Sequence, residues 1–468
     1  MKETDVNAFY IKAFEALIRN SVCADFSEEC TVLYDEHFLK YLPSFIALCN
    51  ERRMNTSYIF LPDSYQCTIQ KNAKFYIDGE IQLPLGMRTA IGSSRIVLNF
   101  LTGSSESSKV RGAVLNNING NGCKIIHCPN LSDDILNITS ISDFKGVHKD
   151  CELISWALGN SSEAILKTIA PNGEEFTLSI PLGDWDNEPF ISGGIIAENS
   201  WGNAVPGEAF WCPFSSNNIN GEVCITGSSP GFLFQPGEYL YLKFENGKVV
   251  HYKPSENSNA SRYLEKLFRE IEEFQDGGWN EFAELGIGLN PAIKSLTGNS
   301  LFDEKMAGTV HIAIGDNVCF GHNIQSHIHH DLVIKQPTLV LDGKIIIDKG
   351  VIDLQAVEHW RKYFDPPALS LREDSLILFL PAKVNIESGY IRRVLNKGKR
   401  IGHIGIDLKC NENMITFLMR FLEESEDDMI YYSALVKELK NQVELKDIKR
   451  AVETFVHYKM ASLENYEK

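Results

Sequence analysis

Histidines are concentrated in one short part of this chain, and that concentration constrains its fold more than any other feature. Five of the twelve histidines lie between residues 311 and 330, and the stretch ends on Asp331. Because side chains alternate between the two faces of a strand, His329 and Asp331 would point the same way. Imidazole and carboxylate together are the ligands that zinc, cobalt, manganese and iron(II) favour. The stretch therefore predicts a strand that binds a metal ion.

Length and composition bound the number of domains and exclude two classes of partner. A chain of 468 residues exceeds the size at which one core usually stops growing, so we expect two or three domains. The formal net charge of −17 opposes binding to a nucleic-acid backbone or to an anionic membrane surface, because both require clustered Lys and Arg. We expect neither partner.

The N-terminus and the cysteines predict a cytoplasmic protein. The first residues, MKETDVNAFYIKAF, carry acidic side chains where a secretory signal needs a basic segment followed by an apolar one. No run of about eighteen apolar residues predicts a membrane span. The eleven cysteines include no CxxC pair, and an odd number without a signal peptide indicates reduced thiols.

The pattern of apolar runs predicts three domains. Residues 1–150 alternate strand-like and helix-like segments, which indicates an α/β domain with a mixed, partly parallel sheet. Residues 151–358 hold mostly short strands and one amphipathic helix, which indicates an α+β, antiparallel-sheet domain that contains the histidines. Asp365-Pro366-Pro367 is typical of a linker, and residues 366–468 form a small module. The predicted strands of the first two domains are Thr31–Tyr34, Thr56–Leu61, Ser94–Leu101, Lys124–His127, Glu175–Ile180, Glu222–Thr226, Glu238–Phe244, Val249–Tyr252, Val310–Ile314, Leu332–Ile334 and Lys344–Asp348.

The C-terminal module shows strands followed by helices. Leu376–Phe379 and Arg400–Ile406 are strand-like, and apolar residues recur at helical spacing over Met414–Glu424 and Leu445–Met460. This order resembles winged-helix modules, including the leader-binding domains of enzymes that modify ribosomal peptides. The resemblance implies that the module orients a peptide; a homodimer contact or a lid over the site is the other interpretation.

Two acidic residues upstream of the histidines lie in apolar, glycine-rich surroundings. Glu208 occurs in NAVPGEAFWCP, and Glu284 occurs in FAELGIGLNPAI. Such a carboxylate is either exposed by a turn or buried beside a partner, because an unpaired buried charge costs several kcal/mol. Together with His311, His329 and Asp331, the two glutamates form a candidate ligand set.

The order of these pieces resembles the metallo-aminopeptidases typified by thermophilic aminopeptidase T and aminopeptidase S. The matching segments cover roughly residues 10–355 and include AELGIGLNP, FDEKMAGTVHIAIG, SHIHHD and LVLDGKIIIDKG. The resemblance implies two divalent ions, zinc, cobalt or manganese. It assigns them five ligands: Glu208, Glu284, His311, His329 and Asp331. It also implies hydrolysis at peptide N-termini by a metal-activated water, with Glu284 or Glu208 as the base.

One position departs from the family pattern and leaves other functions open. The family's hydrolases carry a tyrosine seven residues after the histidine of VHIA, and Val318 stands there in this chain. The spacing from His311 to His329 is closer to that of shorter relatives, which include an iron(II) ring-cleaving dioxygenase acting on dihydroxypyridine. A single iron(II) held by two histidines and an aspartate is therefore the alternative cofactor. A relative that binds a peptide without cleaving it is a third interpretation.

Four further residues of the histidine stretch have less specific predictions. His322 follows a glycine and could reach a substrate, and His327 shares the face of His329 and could be a ligand or a proton shuttle. Cys319 could touch a metal or substrate. His330 points to the face opposite His329, where a place in the core or at the surface is expected.

Overall fold

The computed structural model describes most of the chain in two compact units, the first up to residue 354 and the second from residue 355 onward. The predicted linker Asp365-Pro366-Pro367 lies outside the described residues. The described ranges are 3–22, 28–77, 80–102, 108–115, 122–182, 189–214, 216, 218–320, 322–363, 375–379, 384–387, 390–394, 405–408, 412–424, 429–457 and 461–464.

The first 160 residues alternate helices and strands as the sequence predicts. The elements are α1 (Glu3–Ser21), β1 (Cys30–Tyr34), α2 (Leu42–Arg52), β2 (Thr56–Phe60), α3 (Asp63–Lys71), β3 (Tyr76–Ile77), β4 (Glu80–Ile81), α4 (Leu85–Ser93), β5 (Ile96–Phe100), α5 (Ser108–Leu115), β6 (Lys124–His127), α6 (Asp133–Ile141) and α7 (Phe144–Gly159).

Strands dominate the next two hundred residues. The elements are β7 (Glu163–Ile169), β8 (Glu175–Pro181), β9 (Phe190–Ser192), β10 (Ser200–Asn203), β11 (Glu208–Trp211), β12 (Asn220–Ile225), β13 (Ser228–Ser229), β14 (Phe232–Leu233), β15 (Leu240–Glu245), β16 (Lys248–Pro254), α8 (Asn259–Phe274), β17 (Phe282–Gly288), α9 (Ser300–Asp303), β18 (Val310–Gly315), β19 (His329–Ile334), β20 (Thr338–Leu341), β21 (Lys344–Asp348), β22 (Val351–Ile352) and α10 (Leu354–Tyr363).

A five-stranded sheet in the order β10-β6-β5-β1-β2 organises the N-terminal part, and all its recorded pairings are parallel. β1 and β5 are buried along their whole length, as parallel strands covered by helices on both faces must be. An aromatic cluster lies under α1 and α2, and Phe38 stacks on Phe100 with ring centroids 4.5 Å apart. Burial of these rings fixes the helices to the sheet.

Two antiparallel sheets, rather than a single one, build the central part. The eight-stranded sheet runs β16-β15-β12-β8-β7-β20-β21-β22, and the seven-stranded sheet runs β14-β13-β19-β18-β17-β11-β9. β8, which the sequence predicted, alternates buried and exposed residues; β7 alternates in the same way but was not predicted. β11 and β17, in contrast, are buried at every position, so their sequences show no alternation and neither strand was predicted.

The described residues of the second unit form two small sheets and, after α10, three helices. Its elements are β23 (Leu376–Phe379), β24 (Val384–Glu387), β25 (Tyr390–Val394), β26 (Gly405–Leu408), α11 (Glu412–Glu424), β27 (Met429–Tyr431), α12 (Tyr432–Leu439), α13 (Leu445–His457) and β28 (Ala461–Glu464). The sheets run β27-β23-β28 and β24-β25-β26, with antiparallel pairing throughout. None of the helices in the described part of the chain is both long and apolar enough to cross a bilayer.

Candidate metal centre

Four neighbouring strands of the seven-stranded sheet carry all the residues that the sequence singles out as ligands. β11 and β17 each contribute a glutamate, β18 contributes a histidine, and β19 contributes the His-x-Asp pair. The residues are Glu208, Glu284, His311, His329 and Asp331.

The register between the strands brings these side chains onto one face of the sheet. Ala313 of β18 pairs with Glu284 on one side and with Asp331 on the other. Directly opposed residues share a face, so both carboxylates point to the same side. His311 and His329 each lie two residues from a member of that row, and alternation gives them the same face.

The side chains form two groups that share one carboxylate. In the first ligand group, His311 Nε2 lies 3.0 Å from Glu208 Oε1 and 3.0 Å from Glu284 Oε1. In the second ligand group, His329 Nε2 lies 3.2 Å from Asp331 Oδ1 and 3.5 Å from Glu284 Oε2. The potential ligand atoms of each group lie within 4.8 Å of one another. Glu284 thus offers one oxygen to each group, as a carboxylate that bridges two ions does.

His329 is oriented by a second hydrogen bond of its ring. Its Nδ1 donates to the backbone carbonyl of Asp316 at 2.5 Å, which leaves Nε2 facing the carboxylates. This arrangement is typical of histidines that bind metals. Although burial alone would lower it, the negative charges of Asp331 and Glu284 raise the pKa of His329 to about 10.

The ring of His311 lies flat against a strand position without a side chain. A Cβ at Gly286, the residue paired with it on β17, would meet His311 Cε1 at 2.0 Å and Nε2 at 2.1 Å. Gly286 therefore provides the space in which the ring reaches Glu208 and Glu284. Its hydrogen bonds to these carboxylates, opposed by burial, raise the pKa of His311 well above its usual value.

We expect Gly286→Ala to weaken ion binding in the first ligand group by about 10- to 100-fold, because the methyl group displaces the imidazole. Titration of the protein with cobalt(II) measures this affinity. Gly86→Ala is the matched control, because a Cβ at that position in α4 meets nothing within 4 Å. Equal affinity in the Gly286 variant and the control would contradict the proposed orientation of His311.

A buried lysine and a further glutamate adjoin the ligands, and sequence reasoning missed both. Lys305 Nζ lies 3.0 Å from Glu208 Oε2 and contacts the Glu304 carboxylate. Burial, together with the negative charge of Glu208, raises the pKa of Glu304 well above its usual value. Both residues belong to the segment FDEKMAGTV, whose acidic and basic residues directly before an apolar strand were the available signal.

The donor set fits divalent metal ions. Four carboxylates, those of Glu208, Glu284, Glu304 and Asp331, are buried at this site, and the ammonium group of Lys305, also buried, contacts those of Glu208 and Glu304. Buried charges must be compensated, and in the metal-free protein the protonated imidazoles of His311 and His329 contribute to this; an imidazole that binds a metal ion has lost its proton and its positive charge. One or two dications would restore the balance, and the imidazole and carboxylate atoms are suitable ligands for zinc, cobalt, manganese or iron(II).

A cavity of about 220 Å³ opens beside the second ligand group. Glu208, Glu284, Glu304, His329 and Asp331 form one wall of the cavity. Polar side chains also line it, namely His127, Ser192 and Asn203. The remaining lining is largely apolar and comes from Leu115, Ile191, Trp201, Phe210, Leu301 and Phe320. The cavity therefore admits one small group beside the ligands, among apolar and a few polar side chains.

The other predicted residues lie away from the two groups. His322 is buried with its ring edge-on to Phe214, and it is not among the residues that line the cavity. The prediction that His327 shares the face of His329 is wrong, because β19 begins only at His329 and strand alternation does not extend to His327. Its side chain is 51% exposed, and its ring stacks on Phe274.

His330 lies on the opposite face from His329, where its Nδ1 is 3.1 Å from the hydroxyl of Tyr263. Val318, at the position of the family's tyrosine, is exposed in a short 3₁₀ helix. The side chain of Cys319 lies outside the described residues.

Comparison with known proteins finds likeness in structure alone. No protein-family model matches the chain, and no curated protein matches it. Similar solved structures include 2,5-dihydroxypyridine dioxygenase from Pseudomonas putida KT2440, with a TM-score of 0.57 and 16% identity over 74% of this chain and 97% of that one. Wild-type AmpT from Thermus thermophilus gives a TM-score of 0.49 and 13% identity over 74% and 99% of the two chains. The first likeness shows a shared fold.

Proposed function

We propose that this chain is a metal-dependent hydrolase that removes residues from peptide N-termini, as the metallo-aminopeptidases it resembles do. The observation that carries the proposal is the position of Glu284, whose two oxygens serve the two ligand groups separately. A bridging carboxylate between two ions is characteristic of aminopeptidases and other enzymes that activate water with two metals. In contrast, a mononuclear iron(II) centre uses two histidines and one carboxylate, and here each group contains one histidine.

In this mechanism the protein holds the reactants and moves protons. Glu208 and His311 would hold one ion, His329 and Asp331 would hold the other, and Glu284 would contribute an oxygen to each group. Bound ions would supply a water of lowered pKa and polarise the scissile carbonyl. Glu284 or Glu208 would act as the base that accepts a proton from the attacking water. The hydrogen bond to the Asp316 carbonyl keeps the Nε2 atom of His329 directed at the carboxylates.

The cavity indicates the size of the group that the site accepts. Its volume of about 220 Å³ suits a single amino-acid side chain, and its apolar lining favours an uncharged one. His127 at the end of β6 and Asn203 at the end of β10 provide polar atoms for the peptide backbone. We therefore propose small peptides with an apolar first residue as the substrates.

A peptide panel tests this reaction. We expect unblocked peptides to be cleaved in the presence of zinc, cobalt or manganese, and their N-acetylated counterparts to remain intact, because only a free α-amine can bind an ion. His329→Ala, which lacks a ligand, is the control for metal dependence. Equal cleavage of both sets, or cleavage by the His329 variant, would contradict the aminopeptidase assignment.

An iron(II) ring-cleaving dioxygenase is the second candidate, favoured by the fold shared with 2,5-dihydroxypyridine dioxygenase. The small cavity would also accept a six-membered heteroaromatic ring. Oxygen consumption with iron(II) and dihydroxypyridines tests this reaction. Oxygen consumption, together with no cleavage of any peptide in the panel, would favour the dioxygenase.

The homodimer and the cytoplasmic location stay predictions of the sequence.

A further inference from the structure

Lys305 is a charged side chain in the interior of the protein for which the proposed reaction assigns no role. It follows α9, it is fully buried, and its ammonium group lies between two glutamates. Removing a lysine from water has a large free-energy cost, which close carboxylates must offset. Contacts with the two glutamates at the metal centre therefore stabilise the buried ammonium group of Lys305.

The contacts of Lys305 divide the two oxygens of Glu208. Oε2 accepts a hydrogen bond from Lys305 Nζ at 3.0 Å, and Oε1 lies 3.0 Å from His311 Nε2. Oε1 alone therefore faces the first ligand group. A carboxylate free to rotate would also offer both oxygens to one ion, and the hydrogen bond to Lys305 prevents that.

On its other side Lys305 contacts Glu304, which is part of the cavity wall. A hydrogen bond from Glu304 is among the interactions that lower the pKa of Asp331. Lys305 and Glu304 thus connect Glu208, a member of the first ligand group, with Asp331, a member of the second. Among the members of the two groups, only Glu208 accepts a hydrogen bond from Lys305. The first ligand group therefore depends on Lys305 more than the second does.

We infer that Lys305 is a positioning residue that holds Glu208 in one-oxygen binding through Oε1 and so determines ion binding in the first ligand group. The inference rests on the proposed two-ion site. A role in charge balance alone predicts the opposite change in ion affinity. Loss of a positive charge would tighten the binding of a dication, whereas loss of positioning weakens it. Ion binding in the second ligand group changes little in either case.

Cobalt(II) titration of Lys305→Met, followed by calorimetry and by the visible absorption of the bound cobalt, tests the inference. Wild type should bind two equivalents. The variant should bind the ion of the second ligand group with wild-type affinity. It should bind the ion of the first ligand group at least about tenfold more weakly, and the visible absorption of that cobalt ion should be lost. Lys294→Met is the matched control, because Lys294 is an exposed lysine that contacts a backbone carbonyl.

If the single variant does not fold, the double variant Lys305→Met/Glu304→Gln replaces it in the test. The second substitution removes one of the two buried carboxylates that lose their contact with Lys305. The double variant should show the same selective weakening of ion binding in the first ligand group. Two equivalents bound at wild-type or greater affinity by either folded variant would overturn the positioning role while leaving the proposed function intact. A wild-type protein that binds no cobalt would overturn both.

Discussion

Glu284→Gln is expected to abolish binding of both ions and all hydrolysis. The substitution preserves the shape of the side chain and removes the charge of the one carboxylate common to both ligand groups. Loss of a ligand exceeds the effect of losing a supporting contact, so the affinity for each ion should fall by more than about 100-fold. Glu208→Gln should instead weaken only the first ligand group, because Glu208 has no place in the second.

Metal content and affinity of the two variants, measured side by side, test this difference. Glu281→Gln is the control, because Glu281 is a nearby glutamate whose carboxylate pairs with Lys248 outside both groups. A Glu284 variant that retains one ion at wild-type affinity would contradict the shared position of Glu284.

Removal of the metal is expected to destabilise the first unit. Without dications, the buried carboxylates retain only Lys305 and the protonated histidines as counter-charges. A single ion present at 100 times its Kd stabilises the folded state by about 2.7 kcal/mol. A chelator should therefore lower the melting temperature by several degrees, and added zinc or cobalt should restore it. An unchanged melting temperature, with metal content verified before and after, would contradict a structural role for the ions.

The pKa of His329 gives this stabilisation a pH dependence. In the metal-free protein the raised pKa, about 10, stabilises the fold at neutral pH, and that contribution is lost as the pH rises through about 10. Ion binding requires the neutral imidazole, so it releases a proton and becomes tighter as the pH increases. The difference in melting temperature between loaded and metal-free protein should accordingly grow from about pH 6 to about pH 8.

The sequence could single out the five candidate ligands, which the structure brings together, because these residues have distinctive neighbours. His329-x-Asp331 follows strand alternation, and both lie on β19 as predicted. The strands that carry Glu208 and Glu284 were not predicted, since strands buried on both faces show no alternation. Their apolar, glycine-rich context and the resemblance to the metallo-aminopeptidases, rather than periodicity, singled out these two glutamates.

Lys305 and Glu304 were beyond sequence reasoning for a different reason. A lysine beside a glutamate is ordinarily a solvated surface pair, and only tertiary structure shows that both side chains are buried against Glu208. His327 illustrates the opposite error, in which alternation was extended past the start of β19. Local patterns thus indicate faces of strands, while burial of charges depends on contacts between segments distant in sequence.

The metal content per chain of protein purified without a chelator tests the central claim most directly. Two ligand groups joined by Glu284 predict close to two equivalents of zinc, cobalt or manganese, measured by elemental mass spectrometry against protein concentration. One equivalent of iron, or no bound metal in protein that also takes up none when reconstituted, would contradict the two-ion site.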